Sequence, residues 1–370
     1  MKHTKPKFSR RKDREFYNTL RTRVNQYFET ADVSKFGNSG TVVKMIVLLL
    51  LYFVPYLLTV SGLITAPGLV WALWAVMGIG MAGIGMGIMH DANHGSFSKN
   101  KKTNNFLGLT LNLLGGNATL WKLQHNVLHH TYTNIDGVDE DIHGRGILRF
   151  SPHQELRAIH RFQHIYAWFF YSILTLNWVL QSDYSRVFRY RKLGLIKSDA
   201  ELRKEFISVV LWKIVYWGYA LVLPLLVVPV APWVIVVSFL TMHLVAGFTL
   251  SIIFQTAHVM TTADFPIPAE GSVDNNWAVH QLETTSNYAP NSRVLAWFIG
   301  GLNYQIEHHL FAHVSHVHYP EISKIVKHTA EEYGIPYRSY RTFWAALRDH
   351  GRMLRQLGTT PRVTPSTVPT

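Results

Sequence analysis

Apolar residues gather in four long uncharged runs, Val42 to Leu63, Leu69 to Met89, Phe206 to Val228 and Trp233 to Ala257. Each is long enough for a helix to cross the apolar core of a bilayer, which takes roughly 20 residues. Thr65-Ala66-Pro67 joins the first two runs and Pro229-Val230-Ala231-Pro232 the last two, both without charge. Each pair therefore reads as a helical hairpin. Lys and Arg crowd before the first pair, from Lys2 to Lys44, and between the pairs at Arg186, Arg189, Arg191, Lys192, Lys197, Arg203 and Lys204. The excess of positive charge places both termini and the long middle segment in the cytoplasm. Two further apolar stretches, Phe106 to Leu120 and Ile165 to Leu180, are ambiguous. A lone crossing by the second would carry Arg186 to Lys204 outside and part His258 from His90 across the membrane. Both are read as helices in or near the interface. The pattern predicts an all-α membrane protein, with four transmembrane helices in two hairpins and a cytoplasmic helical cap. Residues 1–41 form a cytoplasmic N-terminal segment, 42–357 the membrane domain, and 358–370 a Thr/Pro-rich disordered tail.

Composition changes this picture little. The 370 residues are 48% hydrophobic, yet mean hydropathy is only +0.06, as expected of a membrane protein with a large polar part. The formal net charge of +13 is the signature of Lys and Arg beside an anionic leaflet, and no nucleic-acid module is present to claim it. Cysteine is absent, which excludes disulfides and thiolate metal sites. The basic start runs through residue 41 before any apolar stretch, unlike a cleavable signal peptide.

The chemistry lies in the histidines, of which there are 20. His90 and His94 stand four apart at the end of the second apolar run, so both rings share one helix face. His125 and His129 repeat that spacing, and the adjacent His130 points in a neighbouring direction, free to reach a second metal. His308 and His309 follow Gln305, whose amide oxygen sits one turn earlier and can ligate directly or through water. His258 ends the fourth run. All of these fall on the face assigned to the cytoplasm. Imidazole suits Zn, Cu, Fe and Ni, so ligand type alone leaves the metal open. The number is more telling: eight clustered histidines exceed the needs of one structural or catalytic zinc site and fit two metal ions. Asp91, Asp139, Asp141 and Glu307 are placed to fix imidazole tautomers, and His280 to support the site. His243, in mid-span, reads as a hydrogen-bonded residue between helices. His3, His153, His328 and His350 read as surface residues.

These motifs resemble the membrane fatty acid desaturases. The boxes His90-Asp91-Ala92-Asn93-His94-Gly95-Ser96, His125 to His130 with Thr131-Tyr132-Thr133-Asn134, and Gln305 to His309 match that family in order and position. Glu283-Thr284-Thr285-Ser286-Asn287-Tyr288 and His316-Val317-His318-Tyr319-Pro320 look like its bacterial acyl desaturase branch. Glutamine opening the third box resembles the front-end (linoleoyl-CoA 6-desaturase-like) group, which adds a double bond between an existing one and the carboxyl end. The resemblance implies a di-iron centre ligated by His90, His94, His125, His129, His130, His258, His308 and His309, with Gln305 as a further contact. It implies O2 as co-substrate, a fatty acyl-CoA or acyl-lipid substrate, and a bacterial inner membrane location. In stearoyl-CoA desaturases, an asparagine four residues before the histidine matching His258 contributes through water; here that position is Phe254. The His-Pro-Gly-Gly heme motif of fused cytochrome b5 domains does not occur, so a separate donor of the ferredoxin or cytochrome b5 type, with its reductase, is expected.

The implied reaction is removal of hydrogen from an unactivated methylene and then its neighbour, work that side-chain acids and bases cannot do. The acyl chain is expected to enter near Trp121, Gln124 and Thr284, with its head at the basic surface. A hydroxylase, ketolase or alkane monooxygenase would use the same boxes. A metal transporter or sensor would need more polar residues along the spans than His243. The topology is checked by reporter fusions: one after Gly358 should read cytoplasmic, one between Thr65 and Gly68 external, and an external reading near Lys197 would refute the four-span plan.

Overall fold

The structure is a computed structural model that describes residues 6–9, 13–144, 146–269 and 271–364. Parts of the expected N-terminal segment (1–5 and 10–12) and of the expected tail (365–370) lie outside the described residues. The chain is mostly helical, and strand is confined to two short parallel pairs among the described residues. Among the described residues, four helices are long and apolar enough to cross a membrane: Ser39–Val60, Pro67–His94, Asp199–Val227 and Pro232–His258. The second and fourth run past the ends of their apolar runs, to His94 and His258. Hydropathy ends where polar residues begin, but His and Asp do not stop a helix, so the metal-ligating types ride on its last turns.

Contacts divide the chain into two compact units. The unit formed by 37–123 and 168–252 holds most of the apolar helices. Asn38 caps the first with a reciprocal pair of bonds, its Oδ1 accepting from Thr41 N–H at 3.1 Å and its own N–H reaching Thr41 Oγ1 at 3.3 Å. Gly78 and Gly80 let the second helix pack closely on two sides. A Cβ on Gly78 would come within 2.5 Å of the Met242 carbonyl, and one on Gly80 within 2.8 Å of the Tyr52 nitrogen. Such small-residue contacts are how helices pack where no hydrophobic drive separates them from lipid. The outward faces are apolar, with Leu57 60% and Leu226 77% exposed; in a bilayer these faces meet lipid.

Two buried titratable groups inside this unit are paired. Lys213, on the third apolar helix, is buried and donates to Asp183 Oδ2 at 2.6 Å, to the Trp178 carbonyl at 2.8 Å and to the Gly115 carbonyl. His243 lies fully buried between the Tyr216 hydroxyl (2.6 Å) and the Thr175 hydroxyl (3.0 Å), the interhelix role its mid-span position suggested. Among the described residues of both units, four π-helical turns occur, at Gly85–Met89, Leu123–His129, Trp178–Ser182 and Gly218–Val222.

The other unit comprises 6–36, 124–167 and 253–364 among the described residues. Its helix Arg14–Ala31 turns Phe16, Leu20 and Val24 into a core with Leu282, Ile306, Leu310, Ile322 and Val326. Those inward positions recur every four residues, the spacing of one helix face. Strand Lys7–Phe8 pairs with Ser272–Val273, and Asn287–Tyr288 with Ser339–Tyr340. Residues 358–364, the first part of the Thr/Pro-rich stretch, are tied down. Arg149, itself fully buried, donates to the Leu357 carbonyl and to that of Thr360 at 2.7 Å, and Val363 N–H bonds the Pro152 carbonyl. His350 and His153 correct the sequence reading. His350 is fully buried and donates Nδ1–H to the Val259 carbonyl at 2.8 Å; His153 lies against the carbonyls of Phe265 and Val363.

Removing one partner of a buried ion pair leaves an uncompensated charge and costs about 3–5 kcal/mol. Lys213→Ala should therefore lower stability by that order, seen as an early thermal transition of the detergent-solubilised protein. The double change Lys213→Met with Asp183→Leu should recover much of the loss.

Candidate metal centre

Six of the histidines named from the sequence meet in the unit that holds 124–167 and 253–364: His125, His129, His130, His258, His308 and His309, all buried. The second box does not lie on a plain α-helix. Residues Leu123–His129 form a π-helical turn that runs into His130–Tyr132. A π-turn carries about one more residue per turn than an α-helix, which aligns positions five apart: His125 Nε2 and His130 Nε2 stand 3.2 Å from each other.

His258 is the last residue of the helix Pro232–His258. His308 and His309 sit on the short helix Gln305–Leu310, whose first turn is gripped by one side chain. Asn287 Oδ1 accepts from Ile306 N–H at 2.9 Å, and Asn287 Nδ2 donates to Glu307 Oε2 at 2.7 Å. Tyr337 donates its hydroxyl to the other Glu307 oxygen at 2.9 Å. Burial nevertheless pushes the Glu307 carboxyl up to about 7.

His129, His258 and His309 bring their coordinating nitrogens within 4.8 Å of one another. In each, the opposite nitrogen is already engaged. His129 Nδ1 lies 3.1 Å from both oxygens of Asp139, His309 Nδ1 donates to Gln281 Oε1 at 2.7 Å, and His258 Nδ1 donates to the Thr284 carbonyl at 3.4 Å. The Nε2 atoms of His258 and His309 are buried without a hydrogen-bond partner among the described residues. Leaving buried polar atoms unpaired is costly. A metal ion satisfies them, and imidazoles held by a partner at the far nitrogen are the usual form of histidine ligand. The residues fit a metal. Burial disfavours the charged His129 ring, but the carboxylates of Asp139 and Asp141 more than offset it and hold the group at about 9, so a metal binding at Nε2 would displace a proton from it.

His125, His129 and Asp141 form a second close group. His130 stacks on His309 with ring centres 4.3 Å apart, and His308 Nδ1 lies 3.3 Å from the Tyr319 hydroxyl. Gln305 is buried beside them in sequence, on the same short helix. Gln124 donates to Asp141. Thr284 is fully buried, its hydroxyl donating to the His280 carbonyl at 2.7 Å. His280 is buried 5.0 Å from the Phe8 ring, and burial pushes it down to about 4. Phe254 lays its ring 6.1 Å from that of His125. In the other unit, His90 and His94 pair at 4.8 Å between ring centres, and the Trp121 ring lies at 5.6 and 5.8 Å from them. The Asp91 carboxylate acts there on the buried Lys44 ammonium.

Sequence reasoning gave no role to Gln281 or Asn134, although both organise this cluster. Asn134 takes a left-handed backbone (φ 59°). Its N–H bonds Asp139 Oδ2 at 2.9 Å, and its side-chain amide donates to the carbonyls of His258 (2.9 Å), Asp264 (3.1 Å) and Thr284 (3.3 Å). Asn134 stood at the end of a recognised box, which was the available signal. For Gln281, four residues after Trp277, the sequence carried none.

A nest of buried imidazoles, three of them held at the far nitrogen, in a chain with four membrane-length apolar helices among the described residues defines a histidine-rich membrane protein with a candidate metal site. Comparison with known proteins makes this particular: the chain matches the fatty acid desaturase family over residues 66–341 and belongs to it. It is 34% identical to an sn-1 linoleoyl-lipid 6-desaturase of Arthrospira platensis, over 94% of this chain and 93% of that protein. A Synechocystis sp. protein of the same description is 35% identical, over 93% of this chain and 96% of its own length. An acyl-lipid (8-3)-desaturase of Physcomitrium patens is 35% identical over 94% of this chain and 72% of the relative. The protein is thus an oxidoreductase that desaturates fatty acyl chains.

Partners of metal-bound histidine are typically worth about 10- to 100-fold in metal affinity. Asp139→Ala should weaken metal binding by that order, measured by competition with a chelator, while His328→Ala, on the exposed surface, should leave it unchanged.

Proposed function

We propose that this chain is a front-end desaturase that uses two irons and O2 to add a cis double bond on the carboxyl side of an existing one in a lipid-bound acyl chain. The observation that carries this reading is the buried group His129, His258 and His309, in which the Nε2 atoms of His258 and His309 have no hydrogen-bond partner among the described residues. Glutamine at the head of the third box supports the front-end choice. So do relatives whose names specify linoleoyl-lipid and acyl-lipid substrates.

The proposed ligands are His90, His94, His125, His129, His130, His258, His308 and His309, with Gln305 as a weaker, neutral contact. Asp91, Asp139, Asp141, His280 and Glu307 support them. Irons bound there would supply the oxidising power, drawn from O2, that breaks unactivated C–H bonds. In the balanced reaction one –CH2–CH2– becomes –CH=CH–, and O2 takes up the two hydrogens with two electrons and two protons to give two waters. The electrons come from a separate donor of the ferredoxin or cytochrome b5 type. The protein's part is to keep the site dry, to hold each imidazole proton on the nitrogen away from the metal, and to set the acyl chain in register. Trp121, Gln124 and Thr284 are the proposed residues along the acyl path. Both termini and the site face the cytoplasm of a bacterial inner membrane, where the basic segments meet anionic headgroups.

The test is expression in a host without polyunsaturated lipids, with linoleate and stearate fed separately and double bonds located in each lipid class. Linoleate should be converted far better, and the product should appear in glycerolipid. Stearate turned mainly to oleate would overturn the front-end assignment. Purified protein should carry about two irons per chain, the number the clustered histidines can hold; zinc filling the site of an active enzyme would refute the iron centre.

A further inference from the structure

The three imidazoles of the buried triad are held by three chemically different acceptors: a carboxylate on His129, a backbone carbonyl on His258 and a side-chain amide on His309. We propose that Gln281 is a positioning residue for His309, fixing its tautomer through a neutral acceptor and thereby keeping it a weaker electron donor than His129. The inference rests on the reading that this triad holds iron.

Gln281 lies on the helix Trp277–Thr284 and is fully buried. Its Oε1 stands 2.7 Å from His309 Nδ1 and 2.9 Å from the Thr133 hydroxyl. An amide oxygen can only accept, so the His309 proton sits on Nδ1 and the Nε2 lone pair is left bare. That Nε2 is buried without a hydrogen-bond partner among the described residues, and His309 belongs to the group whose nitrogens converge within 4.8 Å. The Thr133 hydroxyl also lies 2.7 Å from the His129 carbonyl, so its one proton is shared between that oxygen and Gln281 Oε1. Without the acceptor at 281, only the more distant Thr133 hydroxyl, 3.3 Å from His309 Nδ1, would disfavour a proton on Nε2, and that proton blocks coordination.

The charge of the acceptor matters as much as its position. A carboxylate bonded to the far nitrogen makes an imidazole more basic. Asp139 does this to His129, whereas neutral acceptors spare His258 and His309. A second carboxylate at 281 would add electron density at the metal and favour its oxidised form, one of the levers by which a protein sets a reduction potential.

The experiment compares the full-length wild type with Gln281→Leu and Gln281→Glu, reading iron affinity by chelator competition and midpoint potential by redox titration. Gln281→Leu should keep the wild-type helical content but lose iron affinity by roughly 10- to 100-fold. Gln281→Glu should keep its iron and show a lower midpoint potential than the wild type. Wild-type affinity in Gln281→Leu, or a potential unmoved or raised in Gln281→Glu, would overturn the proposal while the iron reading stands. A wild type that takes up no iron would overturn both. If Gln281→Leu does not fold, the potential of Gln281→Glu decides.

Discussion

A neutral imidazole has two nitrogens and one proton, and this site depends on where that proton is kept. Only a bare nitrogen can bind a metal. In water either tautomer is available, but in a buried cluster a proton without an acceptor is costly, so an acceptor at one nitrogen decides the state of the other. Asp139, Gln281 and the Thr284 carbonyl each occupy an Nδ1, and the unpartnered nitrogens of His258 and His309 are the complement of those bonds. The acceptors must themselves be held. Asn134 performs much of that task, with its N–H on Asp139 and its side-chain amide on the carbonyls of His258 and Thr284. Its left-handed backbone, which asparagine tolerates better than most residues, turns it to reach both.

Helix geometry supplies a second constraint. An α-helix offers faces at spacings of three and four, but the π-turn over Leu123–His129 brings His125 to His130, five apart. Another π-turn, Gly85–Met89, directly precedes His90. Both lie next to candidate ligands, in keeping with the frequent place of π-turns at functional sites. The turns at Trp178–Ser182 and Gly218–Val222 lie instead in the apolar unit, where Lys213 accepts the cost of burial against Asp183 and two carbonyls.

Membership of the desaturase family and the local geometry bear on different questions. The family match and the relatives settle what class of reaction the chain performs. The cluster addresses how a chain without cysteine can hold metal: with buried imidazoles and a small set of acceptors behind them. Phe254, near the His125 ring, puts an apolar surface where the resemblance to stearoyl-CoA desaturases would have an asparagine.

The sequence by itself determined the four apolar helices, the grouping of the histidines and the family, because each of these is written in local runs and short spacings. A bilayer-length apolar stretch or a pair of histidines four apart declares itself without knowledge of the fold. Even so, it set His350 and His153 on the surface. Tertiary structure alone decided which acceptor each ligand would have. Gln281 and His309 are 28 residues apart and Asn134 and His258 are 124 apart, and no periodicity links such positions. Carboxylates were the natural guess from charge, and Asp139 does lie on His129. But an amide and a backbone carbonyl serve as well where burial makes any acceptor valuable, and only the packed chain shows which groups are within reach.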